Sequence, residues 1–473
     1  MRQVTRFYTE GRWHTCQGDH QHVCLSPVHG DVVGRVTGCS TADVERALAS
    51  AQQGLEAWAA STLGERRDVL QRLHAEVARR ADAVVHSLAT EIGCPVWLGR
   101  LMQVPMPLKG LELARDGLDQ VVWQERIGNG LVERVPRGVV AAITPWNFPL
   151  HQMVAKVAAA LGAGCSIVLK PSEVAPGAAE ALFEALHACD LPPGVVNLVW
   201  GGPEVGQHLV AHPVVRQVSF TGSTAVGRRI MAAAAEHLKP VTLELGGKSA
   251  AIVLDDADLD QAIPAVVRMS LANSGQACVS QSRLIVPHHL RDAVVERFRA
   301  AVADWPLGDP ADDATRLGPV ATASQHRHVR GMIERAQAAG ARVLLGDAAL
   351  PEALAAGCYV APTLLDQVAP DDEIAQHEVF GPVVTLFTAR DEAEAVALAN
   401  ATRYGLSGAV WSADTRRATE CARHLQTGQV VINGAAQNLA TPFGGWGDSG
   451  FGRENGRFGM EDLLTYRALH GAA

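Results

Sequence analysis

Val139-Val140-Ala141-Ala142-Ile143 is an apolar run of strand length, and the chain changes period after it. Helical spacing over 151–161 follows, and then Ser166-Ile167-Val168-Leu169 reads as a strand again. The alternation continues with a helix over 177–188, a strand over 195–199 and a helix over 204–210. A strand over 217–220, a helix over 224–236 and a strand over 241–245 complete it. Strands alternating with helices predict a parallel, doubly wound α/β sheet. Such sheets take nucleotides beyond the carboxyl ends of their strands.

Downstream, a second alternating series begins near Ala250. It has strands over 251–254, 283–286, 383–387 and 430–432, with helices over 259–273 and 290–303. The break at 246–249 is the expected boundary. It separates a dinucleotide-binding domain, 1–120 and 137–246, from a second α/β domain, 247–440. Upstream, 5–35 reads as short strands and turns. Thr41 is expected to cap a helix through Val44, Leu48, Leu55 and Trp58, with further helices over 65–80 and 81–91. Two stretches belong to neither series. Val121 to Ile127 and Leu131 to Val135 flank Gly128-Asn129-Gly130, a hairpin signal, and the tail over 463–467 has strand composition.

A chain of 473 residues suits two or three domains. The net charge of −9 comes with no Lys/Arg-rich run, which argues against a nucleic-acid partner. Nine cysteines without a CxxC pair argue for reduced thiols in a cytoplasmic compartment, and no metal site is expected. Met1 to Arg6 leads into no apolar h-region. The apolar stretch 153–169 is broken by Lys156, Gly162, Gly164 and Ser166, so it reads as a buried helix and strand, not a membrane span.

Three phrases carry chemistry. Leu243-Glu244-Leu245-Gly246-Gly247-Lys248-Ser249 puts a carboxylate at a strand end before a glycine pair. Ser274-Gly275-Gln276-Ala277-Cys278 puts a thiol just after a turn. A thiolate attacks carbonyl carbon, and a carboxylate can activate the water that releases the acyl group. Thr144-Pro145-Trp146-Asn147-Phe148-Pro149 holds an amide in a constrained turn, suited to an oxyanion. Each residue also has a plain reading. Cysteine is usually a small buried hydrophobe, and that reading is taken for Cys16, Cys24, Cys39, Cys94, Cys165, Cys189, Cys358 and Cys421. Asn147 could cap its own turn, and Glu244 could be ion-paired. Gly222-Ser223-Thr224-Ala225-Val226-Gly227 follows a strand and opens a helix, whose free N–H groups suit a phosphate, although Ser223 could be a simple cap. There is no G-x-G-x-x-G fingerprint.

With Lys170-Pro171-Ser172-Glu173, Phe220 to Thr224, Glu378-Val379-Phe380-Gly381-Pro382 and Pro442-Phe443-Gly444-Gly445, these phrases resemble the aldehyde dehydrogenase superfamily, in its order and over nearly the whole chain. The resemblance implies Cys278 as nucleophile, Glu244 as general base, and Asn147 with the Cys278 N–H as the oxyanion hole. It implies NAD as cofactor, held by Trp146, Gly222, Ser223, Gly227 and Leu245, with Lys170 and Glu173 at the adenosine ribose. Glu378 would take the nicotinamide ribose, Phe380 would lie beside the ring, and Gln325 is a further candidate. A carboxylate at Glu173 accepts from ribose hydroxyls and repels a 2′-phosphate, so NAD is favoured and NADP remains possible. Glu454 is either a relay carboxylate or an arginine's ion-pair partner. The resemblance also makes the hairpin and tail, 121–136 and 460–473, a small β oligomerisation arm pairing across subunits in a homodimer or homotetramer.

The substrate tunnel would be lined by Phe148, His151, Gln152, Ala155, Ala277, Val279, the loop 435–441 and Phe443. Its polar groups and small alanines fit an aldehyde larger or more polar than acetaldehyde. The chain departs from the family's usual residues at Ile92, Cys94 and Trp446-Gly447. The reading is oxidation of an aldehyde to its acid through a thiohemiacetal and a thioester. Two others stay open: a CoA-acylating enzyme, which has no need of Glu244, and a non-catalytic protein on the same fold.

Overall fold

A computed structural model describes residues 1–347 and 349–472. Val139–Ile143 lies in the middle of an eight-stranded sheet. On one side stand Ser166–Lys170, Val196–Leu198, Arg6–Thr9 and Arg12–Thr15. On the other stand Val215–Thr221, Val241–Glu244 and Gly450–Phe451. The five inner strands are parallel, and the outer ones join antiparallel. The chain builds outward from Val139–Ile143 in one direction, then returns to add Val215–Thr221 on its other flank. That reversal opens a crevice at the strands' carboxyl ends. Thr144 to Phe148 leave from one side of it, and Gly222 and Ser223 from the other.

The apolar stretch at 153–169 is a buried helix and strand. Helix Pro149–Ala163 starts with proline at its first turn, and Gly164 ends it with φ +82°, where a side chain would be strained. Burying each large apolar side chain of such a helix contributes about 1.5–3 kcal/mol. Helix Thr41–Ala59 is capped by Ser40 in a capping box with Asp43, so Thr41 is its first residue and not its cap.

The second sheet has seven strands, ordered Arg342–Leu345, Thr363–Asp366, Val383–Ala389, Arg283–Pro287, Ala250–Val253, Ser407–Trp411 and Gln429–Ile432. All pairs but the first are parallel. Buried apolar side chains fall into one cluster drawn mainly from 4–245 and two drawn from 250–425. The chain then returns: Gly450–Phe451 pairs with Val241–Glu244, and helix Gly456–Asp462 packs on Pro105–Gly117 and Pro149–Ala163. Residues 460–462, expected in the arm, therefore belong to the first lobe. The region expected as one set of short strands divides. Arg6–Thr9 and Arg12–Thr15 extend the large sheet, while Arg2–Val4, Val32–Thr37 and Gln21–Leu25 form a sheet of their own.

The arm is a three-stranded sheet of Gln124–Ile127, Gly130–Pro136 and Leu464–His470. Hairpin and tail pair with each other inside one chain, from Leu464 opposite Pro136 to His470 opposite Gly130. Pairing between these two segments is thus intramolecular, because the tail emerges beside the hairpin and meets its inner strand first. Among the described residues, no helix is long and apolar enough to cross a membrane.

Candidate active site

Cys278, Asn147, Trp146, Gln152, Gly222, Ser223, Leu245, Gln325, Glu378 and Phe380 line one cleft of about 550 Å³ between the two sheets. The first sheet supplies its groups from strand carboxyl ends, and the second from the loops that enter its strands. A volume of that size is in the range of cofactor clefts.

Cys278 follows a tight turn. Asn273, Ser274 and Gly275 all have positive φ, at 53°, 57° and 71°. A side chain at Gly275 would collide with the Gly381 carbonyl. Left-handed backbone at non-glycine positions costs about 1–3 kcal/mol and gathers at functional loops. The turn is tied down by Ser274 Oγ donating to Gly318 O at 2.8 Å, and by Ala321 N donating to Gln276 Oε1 at 2.8 Å. The half-buried Cys278 thiol is held well above the usual thiol range, by burial first and then by the charges of Glu378 and Glu244. The backbone at Cys278 and Val279 works the other way.

Asn147 is buried and held both at its side-chain amide and at its backbone carbonyl. Its Nδ2 donates to Gln276 O at 3.0 Å. Its carbonyl accepts from Gln103 Nε2 and Asn273 Nδ2, each at 2.9 Å. Nothing in the sequence pointed to Gln103 or Asn273.

Glu244 ends its strand beside this cleft without lining it. Its side chain is 2 % exposed, and neither carboxylate oxygen has a hydrogen-bond partner among the described residues. Burial, then the neighbouring Glu454, raises its pKa well above the usual range. Glu454 is not an arginine's partner: it forms a buried ion pair with Lys156, whose Nζ also donates to Ser219 Oγ at 3.0 Å. Arg453 instead donates to the Gly445 and Gly452 carbonyls. A lone lysine inside an apolar helix was itself a signal, since a buried ammonium needs a buried acid.

Glu378 accepts from Gly247 N at 3.0 Å, and burial pushes its carboxyl up to about 7. Phe380, at φ 54°, stands edge-on to Trp146 with ring centroids 5.6 Å apart. Gln325 Nε2 donates to the carbonyls of Val379 and Phe380 at 3.1 and 2.9 Å, which fixes this loop. Ser223 caps helix Thr224–Ala235 by accepting from Val226 N, and the start of that helix faces the cleft. An anion is favoured there by free N–H groups and the helix dipole. Gly227 does not line the cleft. It lets the helix approach Leu245, whose Cδ2 would stand 2.5 Å from a side-chain carbon at that position.

Lys170 is the last residue of the neighbouring strand and Glu173 lies just past it, both outside the cleft wall. Lys170 Nζ donates to Pro171 O at 3.4 Å, and Glu173 faces His20. Of the expected substrate residues, only Gln152 lines the cleft. His151 and Ala155 line a separate small hollow with Gly110, Ala114 and Leu439, and burial lowers the His151 pKa to about 4. Phe148 is buried, and Phe443 exchanges backbone hydrogen bonds with Glu454. The cleft also holds Arg228, His328, Arg403 and Tyr404, which no local sequence signal marks.

The chain matches the aldehyde dehydrogenase family profile over residues 13–469. It is 39 % identical to a 3-succinoylsemialdehyde-pyridine dehydrogenase from a Pseudomonas species, over 100 % of this chain and 99 % of that one. Among solved structures it is similar to aldehyde dehydrogenase C of Pseudomonas syringae, a cysteine-to-alanine variant in complex with NAD+ and octanal. The TM-score is 0.97 and the identity 38 %, covering 99 % of this chain and 97 % of that one. An aldehyde dehydrogenase of Mycobacterium tuberculosis in complex with NAD+ gives a TM-score of 0.96 at 37 % identity, covering 99 % and 98 %.

Proposed function

This chain belongs to the aldehyde dehydrogenase family, and from that premise we propose that it oxidises an aldehyde to its carboxylic acid with NAD, through a thiohemiacetal and a thioester on Cys278. The observation that carries the reading is the convergence in one cleft of a thiol, an oriented amide and Glu378, with an unpaired buried carboxylate at the adjoining strand end.

The donor set fits the cofactor. Ser223 and the helix start would take the diphosphate, Glu378 the nicotinamide ribose, Trp146 and Phe380 the ring, and Lys170 with Glu173 the adenosine ribose. When bound, NAD supplies the hydride acceptor. Cys278 gives up its proton to solvent and attacks the carbonyl carbon, and the oxygen's developing charge meets the Asn147 amide. Two donors to that oxygen, Asn147 Nδ2 and the Cys278 N–H, stabilise it more than the planar carbonyl. After oxidation, Glu244 takes a proton from water and the resulting hydroxide cleaves the thioester. A raised carboxylate pKa suits that task. Glu454, held by Lys156, is the neighbouring carboxylate that can relay the proton away from Glu244.

One relative is named for 3-succinoylsemialdehyde-pyridine and another is solved with octanal bound, both aldehydes larger than acetaldehyde. The cleft of about 550 Å³ around Cys278 leaves room for the same class here. The experiment is NADH formation, read by absorbance, across linear, aromatic and keto-aldehydes. The expected result is acid and NADH in equal amounts, with longer aldehydes preferred. Formation of acyl-CoA on adding CoA, or no NADH from any aldehyde, would overturn the reading.

A further inference from the structure

Glu173 is not a free carboxylate. Its Oε1 is buried and makes no aligned hydrogen bond among the described residues, and His20 Nε2 stands 3.0 Å from it. The Glu173 side chain is 11 % exposed and His20 is 41 % exposed, so the pair sits at the rim with the acid inward. The backbone of Glu173 is anchored too, because Cys24 Sγ donates to its carbonyl at 3.2 Å. His20 comes from the turn before strand Gln21–Leu25, in the small N-terminal sheet, which so reaches over the carboxyl end of the main one.

We propose that His20 is a specificity-determining residue: by sharing the charge of Glu173 it sets how strongly the adenosine site rejects a 2′-phosphate. This rests on the reading that Glu173 binds the adenosine ribose. A lone carboxylate repels a phosphate, whereas a carboxylate–imidazolium pair is neutral overall and offers an N–H to it. The other charged or titratable groups acting on this corner are Lys170, Glu204, His22 and Cys24, whose thiol is pushed up to about 12 by burial. Burial lowers the pKa of His22. Lys170 and Glu204 oppose each other in sign.

The measurement is the NADP/NAD ratio of kcat/KM with one good aldehyde. His20→Arg fixes a positive charge beside Glu173 and is expected to raise the ratio by about tenfold. His20→Ala is expected to lower it roughly three- to fivefold, with the change carried in the KM for NADP and not in kcat. Ratios unchanged in both variants would overturn the proposal. Glu173→Gln separates the two levels. If it shifts the ratio while the His20 variants do not, this inference alone fails. If it leaves the ratio unchanged, the placement of the ribose at Glu173 fails, and the inference with it.

Discussion

Asn147 donates its side-chain amide to the backbone carbonyl of Gln276, 3.0 Å away and two residues before Cys278. The amide is thereby aimed at the turn that carries Cys278 before any substrate arrives. Gln103 and Asn273 both hold the Asn147 carbonyl, so the peptide that carries the amide cannot rotate. Preorganisation of this kind costs no rearrangement when charge develops. Asn147→Ala is expected to lower kcat by ~10²–10³ while NAD binding, followed by fluorescence quenching, stays within about twofold. An unchanged kcat would remove Asn147 from the oxyanion hole.

The roles proposed for Cys278 and Glu244 separate in time. Cys278→Ala should abolish oxidation and retain NAD binding, since only the nucleophile is lost. Glu244→Gln should still yield one equivalent of NADH per site and then stall as the thioester, visible by mass spectrometry as an acyl adduct on Cys278. The amide keeps the shape of the carboxylate and cannot accept the proton of water. Sustained turnover in Glu244→Gln would show that another group activates water.

Thiol reactivity offers a pH test. Burial and two carboxylates hold the Cys278 thiol up, so little thiolate exists at neutral pH in the protein without cofactor. Alkylation of Cys278 by iodoacetamide, tracked by peptide mass spectrometry, should therefore rise steadily from pH 7 to 9. Glu378→Gln removes one opposing charge, which lowers the thiol pKa, so alkylation at a fixed pH of about 8 should be several-fold faster. A rate that is already high and flat with pH would contradict this account of the site's electrostatics.

The alternation that opens at Val139 was readable because each strand and helix carries its own period, and the breaks at Gly164 and Pro149 are local chemistry. The observed boundaries differ from the expected ones by one to three residues where ends are set by tertiary contact. Ser40 and not Thr41 caps its helix because Asp43 completes the box with Ser40. Partner choice was the part that could not be read. Gly450–Phe451 is a two-residue strand with no period of its own, yet it closes the sheet beside Glu244. Gln103 lies 44 residues from Asn147, and His20 lies far upstream of Glu173. Such pairings depend on which surfaces the fold brings together, and no window of sequence contains them. Cys278 and Asn147 could be expected together because each phrase pairs a reactive group with a turn, and both line one cleft.

The buried pair of Lys156 and Glu454 makes a stability prediction with a sign. Lys156→Met leaves a buried carboxylate without its cation, which typically costs 3–5 kcal/mol, so the urea midpoint should fall clearly. The double variant Lys156→Met with Glu454→Gln should recover most of that loss, because an uncharged pair of similar volume carries little desolvation cost. If the double variant is no more stable than the single one, packing and not charge is what Lys156 supplies.

Assembly follows from the arm. Its sheet has only three strands, and its outer strands Gln124–Ile127 and Leu464–His470 expose backbone edges together with Ile127 at 61 % and Tyr466 at 70 % exposure. An uncovered edge with apolar residues on it is a template for pairing with another chain, and soluble proteins cover such edges. Closed symmetry covers both copies at once, so a dimer, or a pair of dimers, is the expected state. Multi-angle light scattering at micromolar concentration should give a mass of two or four chains. The double variant Ile127→Asp with Tyr466→Asp places like charges where the copies would meet, and should shift the mass toward one chain while circular dichroism stays unchanged. A stable monomer of the unaltered protein would show that the arm's edges are tolerated in water and that the site is complete within a single chain.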